Sequence, residues 1–350
     1  MAFLNRVLDP PSYGFERNGV FYAPTQTEIF REFFRKLNIF HSKKNWLAFF
    51  AWAASLALSI PLFIFIHSYF SIPLLILGFI YSMVVLGSHG TVYLHRYSTH
   101  RAFKFRNSLA CFICKNLVIK IIPEEAYVIS HHIHHHISEK PGDPYNVHGG
   151  WLYCFLADVT HQGIAKDLDK TDYAKLTKLM DHTGVRLNSY ESYQKWGSLC
   201  HPTYTLLHYG LNWIFWYTTF FVIGGHALAT ALFGMSCIWA FGVRTFNYDG
   251  HGQGKDKRQD GIDFDRSNLS INQIWPGYVA GEWHNNHHLY PSGARSGFLP
   301  YQLDLAWIFI YSYTLLGGIV SYRDYKAQFY RDYYSPYLKS KTELTLQEEA

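Results

Sequence analysis

Nine histidines and one asparagine in this 350-residue chain are spaced for metal binding. His95 and His100 stand five apart in HRYSTH, and His131, His134 and His135 lie in HHIHH. His251 closes NYDGH four residues after Asn247, and His284, His287 and His288 lie in HNNHH. Residues three and four apart share a helix face, so each HxxHH run and the NxxxH pair can converge. Imidazole suits iron, copper, nickel and zinc. Nine imidazoles exceed one ion, since a zinc site takes about four ligands. Two ions sharing nine histidines and one weaker oxygen donor is the simplest count. One isolated HxxH is commonly a surface or capping feature, but four clusters on one face of a membrane are not.

The membrane enters through the elements that must carry these clusters. From Trp46 to Leu94, and again from Trp196 to Val243, there is no Lys, Arg, Asp or Glu. One crossing needs about 20 apolar residues, so each window fits a helical hairpin. His67 to Ser71 with Pro73 splits the first window, and Gly224-Gly225-His226 splits the second. The expected spans are 46–66, 71–94, 203–223 and 226–244. Of the 31 basic residues, 7 precede Trp46, 13 lie from His95 to Lys195 and 11 follow from Arg244 onward. Basic excess marks the cytoplasmic side. All four clusters then share the cytosolic face.

The expected fold is an all-α integral membrane protein. Its parts are an N-terminal arm with an interfacial helix (1–45), a first transmembrane hairpin (46–94), a cap segment with the first two clusters (95–202), a second hairpin (203–244) and a cap segment with the last cluster (245–350). Thr25 to Phe40 is amphipathic and fits either the membrane surface or packing on the cap. Asn107 to Ile122 is too polar to cross. Phe298 to Val320 reads as a helix on the cap or at the interface. The net charge of +5 is met by anionic headgroups, so membrane lipid is a partner and nucleic acid is not needed. Five scattered cysteines argue against a disulfide framework. MAFLNRVLDPPSYGFER has no apolar core of a signal peptide.

The set HxxxxH, HxxHH, NxxxH, HxxHH resembles the membrane-bound fatty acyl desaturase family, in particular its stearoyl-CoA-type delta-9 branch. The similarity runs from about Trp46 to Tyr322 and includes HRYSTHR, SHHIHH…GDPYN and GEWHNNHHLYPSGARSG. The resemblance implies a non-heme di-iron centre held by His95, His100, His131, His134, His135, His251, His284, His287 and His288, with Asn247 linked through water. It also implies O2 as co-substrate, a fatty acyl substrate in the membrane and a cis double bond, at delta-9. HHIHHH offers two registers. The family's spacing to Asp143-Pro144 selects His131, His134 and His135 and leaves His132 and His136 over. PEEAYVIS lacks the family's aromatic run and His89 is an extra histidine, which leaves chain length and carrier open.

Neutral imidazoles leave the charge of the ions uncompensated, and carboxylates should orient them through the second ring nitrogen. Glu125, Asp143, Asp249 and Glu282 are the candidates. Arg96, Arg101, Lys104 and Arg106 could meet a substrate headgroup or serve as membrane-surface charges. The sequence carries no ferredoxin-like cysteine set, so electrons must come from a separate donor, a ferredoxin or a b-type cytochrome with its reductase. A bacterial inner membrane and the endoplasmic reticulum fit equally. One rival is a related histidine-box hydroxylase or a sterol or carotenoid oxidase. The other is a metal transporter, which would place ligands and charges inside the spans.

Overall fold

The computed structural model describes residues 3–161, 163–251 and 283–348. Among the described residues, three helices are long and apolar enough to cross a membrane: Lys43–Tyr69 (27 residues), Ile72–Thr99 (28 residues) and Pro202–Phe246 (45 residues). The elements that position the site are α1 (Gln26–Leu37), α2 (Lys43–Tyr69), α3 (Ile72–Thr99), α4 (Ser108–Lys115), α5 (Glu124–Ile137), α6 (Pro202–Gly250), α7 (His284–Leu289) and α8 (Leu305–Leu315).

Both turns fall where glycine, proline and serine allow them. Ser71 caps α3 by accepting from the Leu74 amide, with Pro73 in the first turn. In α6, Gly224 and Gly225 leave helical geometry, and Gly225 has φ 67° and ψ −167°, which a side chain would not tolerate. Beyond that break α6 folds back on itself. The Phe233 ring lies 6.1 Å from Trp213 and 5.4 Å from Tyr217, whereas 20 residues of straight helix would separate two rings by about 30 Å. Phe63, Ile72, Leu211, Val222 and Ile223 on these helices are more than half exposed. An apolar surface of that extent is rare on a soluble monomer. The chain is an integral membrane protein.

Two expectations are corrected here. Among the described residues, two small antiparallel ribbons interrupt the helices: β1 (Glu16–Arg17) with β2 (Val20–Phe21), and β3 (Phe103–Phe105) with β4 (Ile319–Tyr322). In β3 the burial alternates, with Phe103 and Phe105 inside and Lys104 outside, a period-2 pattern too short to read in the sequence. Arg96 is no headgroup ligand. It is wholly buried and donates to Ala294 O (2.6 Å), Ser296 Oγ (2.9 Å) and both oxygens of Asp304 (3.0 and 3.1 Å). Asp304 also caps α8 through the Trp307 amide. A guanidinium sealed in this way cannot reach a ligand in solvent.

The amphipathic arm is a helix with one packed face and one exposed face. Thr25 and Glu28 form a capping box at the start of α1. Ile29 and Phe33 pack on Trp52, while Phe30 and Phe34 stay exposed on the other side. The helix α8 has 11 residues, about half of what a crossing needs. Its exposed Ile308, Tyr311 and Leu315 form an outward apolar face.

Candidate metal centre

His95 and His100 converge because the end of α3 is π-helical. In an α-helix, residues five apart point about 140° away from each other. From Thr91 to Thr99 the helix widens, and the His100 amide bonds His95 O five residues back at 3.1 Å. The i→i+5 pattern brings the rings to 4.9 Å. A helix-face argument does not cover this pair, and the widened turn is what makes its spacing usable. His95 lies inside α3 rather than after it.

The remaining histidines come from α5, the end of α6 and α7. They divide into two groups: His95, His100, His131, His135 and His287, and His134, His251, His284 and His288. Within each group one ligand atom per residue lies within 4.8 Å of the others. Each HxxHH run is split between the groups. In α5 the i,i+4 pair His131 and His135 faces the first and His134 the second; in α7 the pair His284 and His288 faces the second and His287 the first. The groups adjoin, with the His135 and His288 rings stacked at 4.5 Å.

The nitrogens converge as a cation requires. His95 Nε2 lies 2.8 Å from His131 Nε2 and 3.0 Å from His287 Nε2. His135 Nε2 closes the ring at 3.1 Å from His131 Nε2 and 3.0 Å from His287 Nε2. In the second group His284 Nε2 lies 2.9 Å from His251 Nε2 and 3.0 Å from His288 Nε2. An imidazole nitrogen is a donor or an acceptor, never both. A four-membered ring of such contacts is therefore poorly satisfied by protons, and a cation at its centre satisfies every lone pair. The spacing also equals the chord between donors at right angles on bonds of about 2.1 Å, the zinc–imidazole length. The residues fit two metal ions.

A carboxylate fixes the tautomer of His134. Asp143 Oδ1 accepts from His134 Nδ1 at 2.9 Å and from the Tyr145 amide, while its Oδ2 accepts from the Glu139 amide. His134 Nδ1 must therefore carry the proton. Its buried Nε2, which has no hydrogen-bond partner among the described residues, keeps the lone pair. His251 Nδ1 lies 2.8 Å from Glu139 Oε1, a partner that the sequence reading missed. Asp143, Glu139 and Asp249 all stand near Cys154, whose thiol is raised first by burial and then by these three charges. Glu125 faces elsewhere and accepts from the backbone amides of Leu199 and Cys200. Glu282 and the Asn247 side chain lie outside the described residues. His132 is half-buried and His136 exposed, and neither joins a group. His89 bonds Cys114 O at 2.6 Å and ties α3 to α4. A further missed residue is Tyr127, whose ring stacks on His131 at 5.4 Å and lies 6.3 Å from His95.

Burial, followed by neighbouring imidazoles, holds His131, His135, His287 and His288 well below their ordinary value of 6.5. These rings are neutral at pH 7, as ligands must be. The unfolded chain binds protons that the folded one refuses, so their contribution to stability is complete above about pH 6.5 and is lost as pH falls below it. The melting temperature of metal-free protein should fall steeply from pH 6 to 5. A level melting temperature across that range would show that the rings are not buried together.

Of the other cationic candidates, Arg101 and Lys104 are exposed and, with Arg323, line an open groove of about 1090 Å³. Arg101 also pairs with Asp181 at 2.9 Å. Arg106 is exposed and takes no part in that groove lining. A second, narrow cleft of about 40 Å³ has Lys36, Lys44, Lys166 and Arg244 in its lining.

Comparison with known proteins places the chain in a family. The sequence model of the fatty acid desaturase family matches residues 71–309. An sn-1 stearoyl-lipid 9-desaturase of Anabaena variabilis is 26% identical over 263 residues, covering 73% of this chain and 86% of the relative. The icosanoyl-CoA 5-desaturase of Limnanthes douglasii is 26% identical over 260 residues (73% and 65%). A hex-5-enoyl-[acyl-carrier protein] acetylenase of Moorena producens is 25% identical over 270 residues (69% and 74%). These three names carry three different acyl carriers. With a match across more than half its length, the chain belongs to the fatty acid desaturase family, on the side of the delta-9 desaturases, and is an oxidoreductase of fatty acyl chains.

Proposed function

We propose that this protein inserts a cis double bond at delta-9 of a membrane-borne fatty acyl chain, using O2 and two electrons from a separate ferredoxin or b-type cytochrome. The observation that carries the reading is the convergence of nine imidazoles, as five and four, at the ends of apolar helices. The net reaction joins the acyl chain, O2, two electrons and two protons to give the alkene and two waters. A methylene C–H bond lies beyond any acid–base side chain, and oxidation of this kind belongs to a bound redox metal. Zinc has no redox chemistry, and among the redox metals that imidazole suits the desaturase family points to iron. The nine histidines, with Asn247 through water, would hold two iron ions, and those ions supply O2 activation and C–H oxidation when bound.

The protein's own residues do the positioning. Asp143 holds the His134 ring with its lone pair inward, and Glu139 stands at the same place behind His251. Asp249 adds negative charge on that side. Tyr127 closes the wall beside His95 and His131 and keeps water from the first group. In the bilayer, α2, α3 and the two arms of α6 make four crossings, with the histidines on the cytoplasmic face. The membrane is that of a bacterial cell or the endoplasmic reticulum.

Lipid analysis of a host expressing the chain tests the function. Products two daltons lighter than the substrate support it, and products sixteen daltons heavier would make the protein a hydroxylase. For the headgroup, we assign Arg101 and Lys104 with Arg323. Arg101→Glu with Lys104→Glu should raise KM for an anionic acyl carrier several-fold and flatten its salt dependence. An unchanged KM there, with a rise in Lys44→Glu and Lys166→Glu, would move the headgroup to the narrow cleft.

A further inference from the structure

The region between α3, α4 and α5 holds a charge cluster that the metal chemistry does not use. Glu124 is buried between two buried lysines, with Lys115 Nζ 3.2 Å from Oε2 and Lys120 Nζ 3.1 Å from Oε1. Two ammonium groups share one carboxylate. The adjacent Glu125 does not redress the balance. It turns to the Leu199 and Cys200 amides, and burial pushes its carboxyl up to about 8, which keeps it neutral at pH 7. The rings of Tyr93 and Tyr209 offer their faces to Lys120 at 5.9 Å each. That compensates a surplus cation only in part, and a buried charge without a full partner is costly. A structural tie between α4 and α5 needs only one of the two lysines.

The cluster borders a cavity of about 30 Å³, room for about one water or one oxygen-bearing group. The other walls are mostly apolar, with Leu86, Leu94, Ile119 and Trp239 beside His89, Tyr93 and Tyr209, and Leu94 directly precedes the ligand His95. Lys115 also lines the open groove that holds Arg101 and Lys104. It stands where a chain passing from the groove to the apolar side would carry its last polar atoms.

We propose that Lys115 and Lys120, held by Glu124, bind the carbonyl or carboxylate oxygen of the acyl group and so fix how far its chain reaches past the metal ligands. The inference rests on the acyl-substrate reading. Hydrogen bonds from charged donors are worth enough to change affinity about tenfold or more. A cluster that positions the acyl head acts on binding and on the site of oxidation, whereas a merely structural tie acts on stability.

The test uses the full-length, iron-loaded protein in detergent and compares palmitoyl-CoA with S-hexadecyl-CoA, which lacks the carbonyl. The wild type should bind the first about tenfold more tightly. Lys115→Met and Lys120→Met should each remove most of that preference with little effect on the thioether. Where a methionine variant fails to fold, Lys120→Gln keeps a donor and should retain part of the preference. Palmitate displaced more strongly than palmitoyl-CoA by these changes would identify a free acid as the source of the oxygen. Equal binding of both CoA ligands and of palmitate by the wild type would overturn the proposal. So would a carbonyl preference that survives in both methionine variants. Desaturation itself is read from product mass in the wild type, so failure of this site and failure of the functional reading remain distinct.

Discussion

Alanine at His135 or His287 is expected to abolish turnover and to lower the metal content from two ions per chain toward one. Both rings belong to the four-nitrogen circuit of the first group, with contacts of 3.0 and 3.1 Å. Loss of either leaves the remaining lone pairs facing a gap. His284→Ala or His288→Ala should empty the second group in the same way and leave the first loaded. Asp143→Asn should be milder, because it alters the orienting bond to His134 Nδ1 rather than a ligand. About 10–100-fold weaker metal binding is the usual effect of such a change. Metal analysis of the purified variants, beside their melting curves, checks these outcomes. Variants that kept two ions per chain would remove these rings from the centre.

Replacing Arg96 should be the most damaging substitution outside the metal ligands. Its guanidinium joins the end of α3 to Ala294, Ser296 and Asp304, and Asp304 in turn accepts from the amides of Ser296, Gly297 and Trp307. The network anchors both His95, one residue away, and the segment that follows α7. Arg96→Met leaves Asp304 buried without its cation, and breaking a buried pair by one partner costs about 3–5 kcal/mol. We expect loss of the metal together with a large fall in melting temperature. Arg96→Met with Asp304→Asn should be less destabilised than the sum of the two single variants, since the pair is lost together. Additive losses would show that the two side chains act separately.

The fate of Arg96 shows where the sequence was legible and where it was not. The clustering of the histidines could be read because helix periodicity and imidazole chemistry are local. The i,i+4 pairs of HHIHH and HNNHH fix a face without knowledge of the fold. The charge-free windows gave the apolar helices, and the glycine pair at 224–225 gave their break, for equally local reasons. Arg96, in contrast, stands beside a ligand in a basic stretch with Arg101, Lys104 and Arg106, and nothing local marks it as buried. Its partner Asp304 is 208 residues away. Glu139 was missed for the same reason, because its contact with His251 spans the two halves of the chain. Asp143 was found because the Asp-Pro that fixes the register of the second cluster is only nine residues from His134. The division of the histidines into five and four also needed the fold. It depends on the angle at which α5 and α7 face each other, and on the π-helical end of α3.

The central claim is that two metal ions lie in two distinct histidine groups at the end of the apolar helices. Metal content measured on wild type and on the His284→Ala, His288→Ala double variant, both purified from iron-replete cells, tests it most directly. Two iron ions per chain are expected in the first and one in the second, with the first group still filled. An active wild-type protein carrying a single ion, or a double variant that still carries two, would contradict it.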